Sequence, residues 1–325
     1  MLNGKVSNQC AEKSKNRVTF YSATTHIFNV RHNMKKLFTI IFSFIVCLCF
    51  SQTKQQLIDS IIQINRVDSD CVGYACVVST QYKRFQKLKD KLSDNELIEL
   101  SKHDNPTIRI YASIELIESN KGNVSKLLSS ELKKNERVQT FEGCIIDKES
   151  TSSVIYHKYW NKIRMETLSK TDGNNYEQDI AMKKRLANDL TMEKLDSVII
   201  YSKKDIDWLL YDRAFDNRKH KDIYLSRIEE LAFNGNNAYA FDYLKKHYSF
   251  KYSEKLNNYL ITEFPTVKFQ TENEVFYLHS FIEILLESEN EEFKQIAMDK
   301  LKTEEIWKKH KGWFKTTLKK HGITL

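Results

Sequence analysis

The candidate catalytic residues of this chain are two aspartates and two cysteines. Asp68, Asp70 and Cys71 follow one another closely, and Cys144 lies in a second segment without regular periodicity. A carboxylate can act as a general base and a thiolate as a nucleophile once the fold brings the two groups together. These four residues therefore define one interpretation of the chain, an enzyme of unknown type.

The segment around Asp68 also imitates the start of a calcium-binding loop, with the pattern Asp68-x-Asp70-x-Val72-Gly73. A calcium loop needs an oxygen ligand at its fifth position and a bidentate glutamate at its twelfth. Val72 and Ser79 stand at those positions, so we predict a plain turn. The histidines are scattered, and the sequence has no HExxH, no paired Cys-x-x-Cys, no phosphate loop and no Gly-x-Ser-x-Gly. We accordingly predict no metal, no cofactor and no catalytic residue, in a protein that is not an enzyme.

Three cysteines follow residue 51, namely Cys71, Cys76 and Cys144. An odd number is compatible with one disulfide in an oxidising compartment. A bond from Cys144 to Cys71 or to Cys76 would tie the irregular segment 66–78 to the irregular segment 136–150. The sequence does not choose between these two partners, and three buried free thiols are the alternative.

The secondary structure that carries these residues is predicted to be mainly α-helical. Two prolines and eight glycines in the whole chain suit long helical runs and argue against a sandwich or barrel with many tight turns. No span after residue 52 has the pattern of a strong sheet former. Helices are predicted at 52–65, 81–91, 94–103, 106–116, 124–134, 152–165, 180–188, 192–200, 206–217, 222–233, 238–247, 253–263, 272–287, 291–301 and 304–320.

The helix that begins at Pro106 has the clearest signals. Asn105 is a favoured N-cap residue, and a proline at the first helical position sacrifices no hydrogen bond. Arg109 stands one step off the apolar stripe of this helix and could reach back to Asp104. The stripe recurs every four residues, at Ile108, Ala112 and Leu116.

This pattern resembles a HEAT repeat: an apolar residue, then Arg, Ala and Leu at fixed spacing, entered through Asp-x-Pro. The resemblance is specific over residues 104–116 and looser over about 81–135. A second copy without the Asp-x-Pro entry lies at 293–301, as Phe293-Lys294-x-x-Ala297-x-x-x-Leu301. The resemblance implies an all-α fold, an α-solenoid of antiparallel helix pairs. It also implies a protein-binding surface. An ordinary helical bundle is the alternative.

A polar segment at 170–179 is the best linker candidate, because Thr171-Asp172-Gly173-Asn174-Asn175 is rich in turn-forming residues. We therefore expect a HEAT-like N-terminal half at 52–169 and a C-terminal helical half at 180–325. Such helices are marginal in water on their own, so stacking of their apolar faces must stabilise each half.

Residues 34–51 have the pattern of a secretory signal peptide. Met34-Lys35-Lys36 is followed by fourteen mostly apolar residues and then by Ser51. Fourteen residues fall short of the ~20 that span a membrane, so we expect export and cleavage after Ser51. An uncleaved N-terminal anchor is the alternative. Residues 1–33 are interpreted as a mis-assigned start or a disordered extension, which leaves Met1 and Met34 both open as the true start.

The net charge of the chain is concentrated in this leader. The formal charge is +8, but residues 1–51 hold seven Lys or Arg and one Glu, so the remainder is close to neutral at +2. A nearly neutral body lacks the broad basic field that nucleic-acid binding requires. The basic and aromatic run at 308–315 is interpreted either as an anionic-surface patch or as a capping helix with Ile306, Trp313 and Leu318 inward.

The sequence as a whole predicts an exported helical-repeat scaffold, periplasmic or secreted, that binds another macromolecule and catalyses no reaction. The expected partner is a protein and not a nucleic acid. We expect no stable membrane span after cleavage of the leader, and the oligomeric state stays open. The aromatic residues at helical spacing are predicted to be core: Tyr156, Trp160, Trp208, Tyr211 and Phe215.

Overall fold

The computed structural model describes residues 52–204, 206–288 and 290–324. The predicted extension at 1–33 and signal peptide at 34–51 lie outside the described residues. The chain divides into two compact units, Met1–Leu57 and Ile58–Leu325. The second unit contains the whole sheet and all helices from residue 80 onward.

The described residues are mostly helical, with fourteen α-helices and one small sheet. Most of the predicted spans are helical, although 222–233 and 304–320 are divided by 3₁₀ or π segments, and the prediction of an all-α fold omits the sheet. Short 3₁₀ or π segments lie at Asp222–Tyr224, Glu230–Asn234, Tyr259–Glu263, Phe264–Thr266 and Ile306–His310. The helices are α1 Lys54–Ile64, α2 Thr80–Lys89, α3 Asp94–Leu100, α4 Pro106–Glu118, α5 Val124–Lys134, α6 Thr151–Leu168, α7 Asn175–Asn188, α8 Leu190–Tyr201, α9 Trp208–Asp216, α10 Leu225–Glu229, α11 Ala238–Asn258, α12 Glu272–Leu286, α13 Glu291–Thr303 and α14 Lys311–Lys320.

The sheet joins the two segments that were predicted to be irregular. Its strands are β1 Arg66–Val72, β2 Arg137–Gly143 and β3 Ile145–Ser150, in the order β1-β2-β3. β1 runs parallel to β2, and β2 runs antiparallel to β3. These strands are rich in charged residues, so local propensity does not identify them. The pairing of β1 with β2 joins distant segments, which no local pattern encodes, whereas β2 and β3 form a hairpin.

The helix α4 lies at the centre of the N-terminal half, in contact with α3, α6, β1 and β2. The Asn105 side chain accepts hydrogen bonds from the amides of Thr107 and Ile108, and Pro106 occupies the first turn, as predicted. The three residues of the predicted stripe are all buried: Ile108, Ala112 and Leu116. The sheet and its neighbouring helices therefore enclose this helix on more than one face.

The predicted linker at 170–179 contains a turn and the start of α7. The helices on either side of the turn, α6 and α7, pack directly against each other. None of the helices in the described part of the chain has the length and apolar character needed to cross a membrane.

The C-terminal segment differs from the predicted continuous helix. A 3₁₀ segment, Ile306–His310, precedes α14. A 3₁₀ segment has fewer residues per turn than an α-helix, so the apolar face shifts in register. Trp307, Phe314 and Leu318 are buried, whereas Trp313 is 48% exposed, so the prediction that Trp313 points inward is wrong.

Candidate functional site

Asp68, the first of the predicted site residues, is held by contacts that stabilise the fold. Its side chain is buried on β1. One carboxylate oxygen accepts from Arg66 Nε at 2.5 Å, and the other accepts from Ser79 Oγ at 2.5 Å. The backbone amide of Asp68 donates to the Tyr111 hydroxyl at 2.7 Å, which links β1 to α4. The carboxylate is therefore occupied in fixing the start of α2 and the strand edge.

The cysteines pair differently from the prediction. Cys71 and Cys76 form a disulfide with a Cα–Cα distance of 4.5 Å, and Cys144 is free and exposed. The predicted bond from Cys144 to either of them is therefore wrong. Val72 and Val77 form an antiparallel bridge, which closes a turn and brings the two flanking cysteines together. The sheet, and not a disulfide, joins segments 66–78 and 136–150.

The four residues proposed for an enzyme site do not form a free nucleophile–base pair. The Cys71 sulfur is part of a disulfide, and the Asp68 carboxylate is occupied by Arg66 and Ser79. Asp70 is exposed on β1. In the described residues no group of three or more His, Cys, Asp or Glu side chains could hold a metal ion.

One end of the sheet exposes a cluster of apolar side chains that the sequence did not reveal. The backbone amide of Gly73 donates to the carbonyl of Gly143 at 2.6 Å, so the disulfide turn and the β2–β3 turn lie side by side. Five of the sixteen exposed large apolar side chains of the described residues belong to these two turns and their flanks. We call them the apolar tip: Tyr74, Val77, Val78, Ile145 and Ile146.

The strand β3 extends from this tip as an edge strand. It pairs with β2 on one side, and no other described strand pairs with its second side. Ile145 and Ile146 are 69% and 52% exposed, and they point to opposite faces because side chains alternate along a strand. Asp147 and Lys148 are exposed as well. The backbone of Lys148 on this edge is already bonded to side chains, since its amide donates to Asp147 Oδ1 at 2.6 Å and its carbonyl accepts from Arg137 Nε at 3.1 Å. A strand edge with exposed apolar side chains can receive a further strand where its backbone is accessible.

Two buried ionic clusters join helices of the described part of the chain. In the first, Arg109 Nε donates to Glu131 at 2.9 Å, and Nη2 donates to both Glu131 and Glu136. Nη1 donates to the backbone carbonyls of His103 and Asp104 at 2.9 and 2.7 Å. The predicted approach of Arg109 to Asp104 is confirmed, through the carbonyl of Asp104. These five contacts equal the five donors of a guanidinium.

The second cluster surrounds Asp196 on α8. Its carboxylate accepts from the Tyr156 hydroxyl at 2.6 Å, from Asn217 Nδ2 at 3.0 Å and from Arg218 Nε at 2.9 Å. Burial raises the pKa of Asp196 to about 7, because it disfavours the charged carboxylate more than these partners favour it. The side chain of Asp196 is fully buried, so it acts inside the fold.

Two further buried polar groups lie beside this cluster. Burial and the nearby charge of Arg213 lower the pKa of His157 to about 3, so its ring is neutral at physiological pH. Within the described part of the chain, His157 Nε2 and Arg213 Nη1 are buried without a hydrogen-bond partner. The Arg213 guanidinium stacks over the Trp160 ring at 4.2 Å. Perturbed groups of this kind occur in both functional sites and structural networks.

The remaining predicted candidates are parts of the packing. Tyr211 and Phe215 are buried, and the Trp208 ring stacks on Phe276 with a centroid distance of 4.0 Å. In the basic run at 308–315, Lys308 pairs with Glu305 at 2.7 Å. Among the described residues Lys309, Lys311 and Lys315 form no ion pair, and Trp313 is exposed, so the run is a basic and aromatic surface as well as the final helix.

The chain matches no family model, no curated protein and no solved structure in comparisons with known proteins.

Proposed function

We propose that this chain is an exported, non-catalytic helical scaffold that binds another protein through the apolar tip. The leader pattern at 34–51 supports export. The observation that carries the proposal is the clustering of Tyr74, Val77, Val78, Ile145 and Ile146 at one end of the sheet, beside the edge of β3. Apolar side chains grouped on a surface in this way are typical of protein contacts.

We also propose that the helices derive from HEAT-like pairs arranged as an α-solenoid. Two observations support this. Arg109 of the pattern at 104–116 joins α4 to the end of the preceding turn through two carbonyls. The second copy at 293–301 lies on α13, where Phe293, Ala297 and Leu301 are all buried, as the equivalent positions of α4 are.

The partner is an extended segment of another protein that adds as a strand to β3. Strand addition would replace the side-chain hydrogen bonds that Asp147 and Arg137 make to the Lys148 backbone with main-chain bonds. Ile145 and Ile146 would contact apolar side chains on either face. The Cys71–Cys76 disulfide limits the freedom of the neighbouring turn. A turn that is already ordered loses less conformational entropy on binding, so this restraint favours association.

Substitution of Ile146 tests this contact directly. Partners are captured from the periplasmic fraction by wild type, by Ile146→Lys and by the control Ile180→Lys. Ile180 is 49% exposed on α7, so the control adds the same charge at a similarly exposed site outside the sheet. We expect Ile146→Lys to weaken the partner's affinity about tenfold, as loss of a central apolar contact does, and the control to retain it. Equal capture by all three proteins, or capture of nothing by wild type, would contradict the proposal.

Export is tested separately by N-terminal sequencing of protein from fractionated cells. The expected result is a chain in the periplasmic or secreted fraction that begins at Gln52. A chain that retains residues 1–51 in the cytoplasmic fraction would contradict export, and it would leave the contact at Ile146 to be decided by the capture experiment.

A further inference from the structure

We infer that a groove between α5 and α8 binds a small ligand that carries a phosphate group. The groove has a cavity volume of about 450 Å³, which lies within the range of small-molecule sites. Its walls carry three lysines, Lys126 and Lys133 on α5 and Lys194 on α8. This site shares no residue with the apolar tip, so the inference is independent of the proposed protein contact.

The positive charge of the groove is not neutralised by the chain. No carboxylate lines the cavity, and among the described residues these three lysines form no ion pair. The acidic residues on the same helices are occupied elsewhere. Glu131 of α5 pairs with Arg109 at 2.9 Å, and Glu193 of α8 pairs with Lys221 at 2.6 Å. An anion entering the groove therefore meets three cations and no competing carboxylate on its walls.

Serine hydroxyls complete the polar lining. The Ser129 hydroxyl donates to the carbonyl of Ser125 at 2.8 Å, and the Ser197 hydroxyl donates to the carbonyl of Lys194 at 3.1 Å. A hydroxyl proton can rotate toward a ligand, so both can become donors to an anion. The hydroxyl of Ser130 has no partner among the described residues.

The position of the groove follows from the packing of its two helices. Leu128 and Leu132 on α5 are buried, as are Leu195 and Ile199 on α8. These residues place the apolar faces inward, so polar residues one position away lie along the rim. Lys and Ser recur at spacings of three or four along both helices, and such residues share a helix face.

The number of cations favours a phosphate over a carboxylate ligand. A phosphate ester carries close to two negative charges at neutral pH and three acceptor oxygens. Lysine binds phosphate as a point charge without the fixed geometry of arginine, which suits an open groove. A single carboxylate would leave two of the three lysines uncompensated.

The test is calorimetric titration of the purified protein at pH 8 and constant ionic strength. The probes are glycerol 3-phosphate, inorganic phosphate and acetate. We expect saturable binding of both phosphates at one site and none of acetate. Tighter binding of glycerol 3-phosphate would assign the site to an ester, and equal affinity would assign it to the free anion.

A pair of adjacent lysines gives the matched control. Lys133→Gln is expected to weaken phosphate binding about tenfold, through the loss of one charged contact. Lys134→Gln changes the same charge in the same helical turn, but Lys134 does not line the cavity, so binding should be unchanged. Both lysines are exposed, and equal melting temperatures of the two variants would establish that each is folded. Absence of saturable phosphate binding, equal weakening by the two variants, or binding of acetate as tight as that of phosphate would overturn the inference.

Discussion

Arg109 and Arg218 occupy comparable places in the two halves of the chain. Each guanidinium donates to backbone carbonyls at or just beyond the C-terminal end of a helix. Arg109 does so at His103 and Asp104, beyond the end of α3. Arg218 does so at Leu186, Ala187 and Asp189, at the end of α7. Carbonyls at a helix end lack partners within the helix, and Arg109 satisfies two of them. Arg218 satisfies that of Ala187, whereas the carbonyls of Leu186 and Asp189 also accept from the backbone amides of Asp189 and Glu193.

The two clusters differ in how the arginine is balanced. Arg109 pairs with Glu131, which is buried, and with Glu136, which is partly exposed. Among the described residues Arg218 forms one ion pair, with Asp196, whose carboxylate is also held by neutral hydroxyl and amide donors. Because the pKa of Asp196 is raised to about 7, the second cluster can lose its negative charge by taking up a proton. The same kind of contact to a helix end is therefore held by fixed charges in the first cluster and by a titrating carboxyl group in the second.

The largest expected effect is that of Arg109→Met. This change leaves Glu131 buried without its cation and two carbonyls without their donor. Breaking a buried ion pair on one side costs about 4 kcal/mol, so we expect the free energy of unfolding to fall by about that amount. Chemical denaturation monitored by circular dichroism measures it.

The control for this prediction is Arg84→Met on α2. Arg84 is partly exposed and makes one side-chain hydrogen bond, to Gln81 at 3.3 Å. We expect a change within about 0.5 kcal/mol, which is usual for surface positions. A loss below about 1 kcal/mol in Arg109→Met would show that the first cluster is not the fixed ionic centre described here.

A smaller effect is expected for Arg218→Met, and it should depend on pH. The ion pair with Asp196 is lost, and at pH 8 we expect a cost of about 3 kcal/mol. At pH 5 the buried Asp196 is protonated in both proteins, because its folded pKa lies near 7 with Arg218 present and rises further without it. The cost should therefore be about 1 kcal/mol smaller at pH 5 than at pH 8. Denaturation at both pH values measures it, and a cost independent of pH would contradict the titrating role of Asp196.

Local signals predicted the helices and much of the first cluster. The cap at Asn105, the capping box formed by Ser93 and Glu96, and the bounds of α5 could all be predicted, because each depends on residues close in sequence. The approach of Arg109 to Asp104 is also local. The partners of Arg109 at Glu131 and Glu136 were not foreseen, since they depend on how α4 packs against distant segments.

The pairing of β1 with β2 and both proposed binding surfaces could not be predicted for the same reason. β1 and β2 pair across more than sixty residues, and their charged residues do not indicate strands. The groove combines α5 with α8, and the apolar tip combines two distant turns. The sequence contains Ile145-Ile146 as an apolar pair after Gly143 and Cys144, but only the pairing of β2 with β3 exposes it.

The smallest change in the free energy of unfolding at pH 7 is expected for a substitution of His157, which lies beside the second cluster. The pKa of His157 is lowered by burial, whereas that of Asp196 is raised. His157 Nε2 is buried without a partner in the described part of the chain, so His157→Phe removes an unsatisfied polar atom. We expect a gain of about 1 kcal/mol in the free energy of unfolding at pH 7. His220→Phe is the matched comparison, since His220 Nε2 contacts the carbonyl of Ala214 at 2.8 Å, and that variant should show no gain at pH 7.

The effect of pH on these histidine variants follows from the direction of their pKa shifts. Burial lowers the pKa of His157 to about 3 and that of His220 to about 4, so both stay neutral in the folded protein while the unfolded chain takes up protons below pH 6.5. Each histidine therefore destabilises the fold as the pH drops from about 6.5 toward 4. Asp196 has the opposite sign, because between about pH 4 and 7 the folded protein holds a proton there that the unfolded chain has already lost. The difference between a histidine variant and wild type cancels the contribution of Asp196. As the pH falls from 6 to 4, the free energy of unfolding of each variant should therefore rise relative to that of wild type by about 1 kcal/mol per pH unit. If the difference in the free energy of unfolding between His157→Phe and wild type did not change over this pH range, the His157 ring would be protonated in the folded state. The second cluster would then hold more than one titrating group.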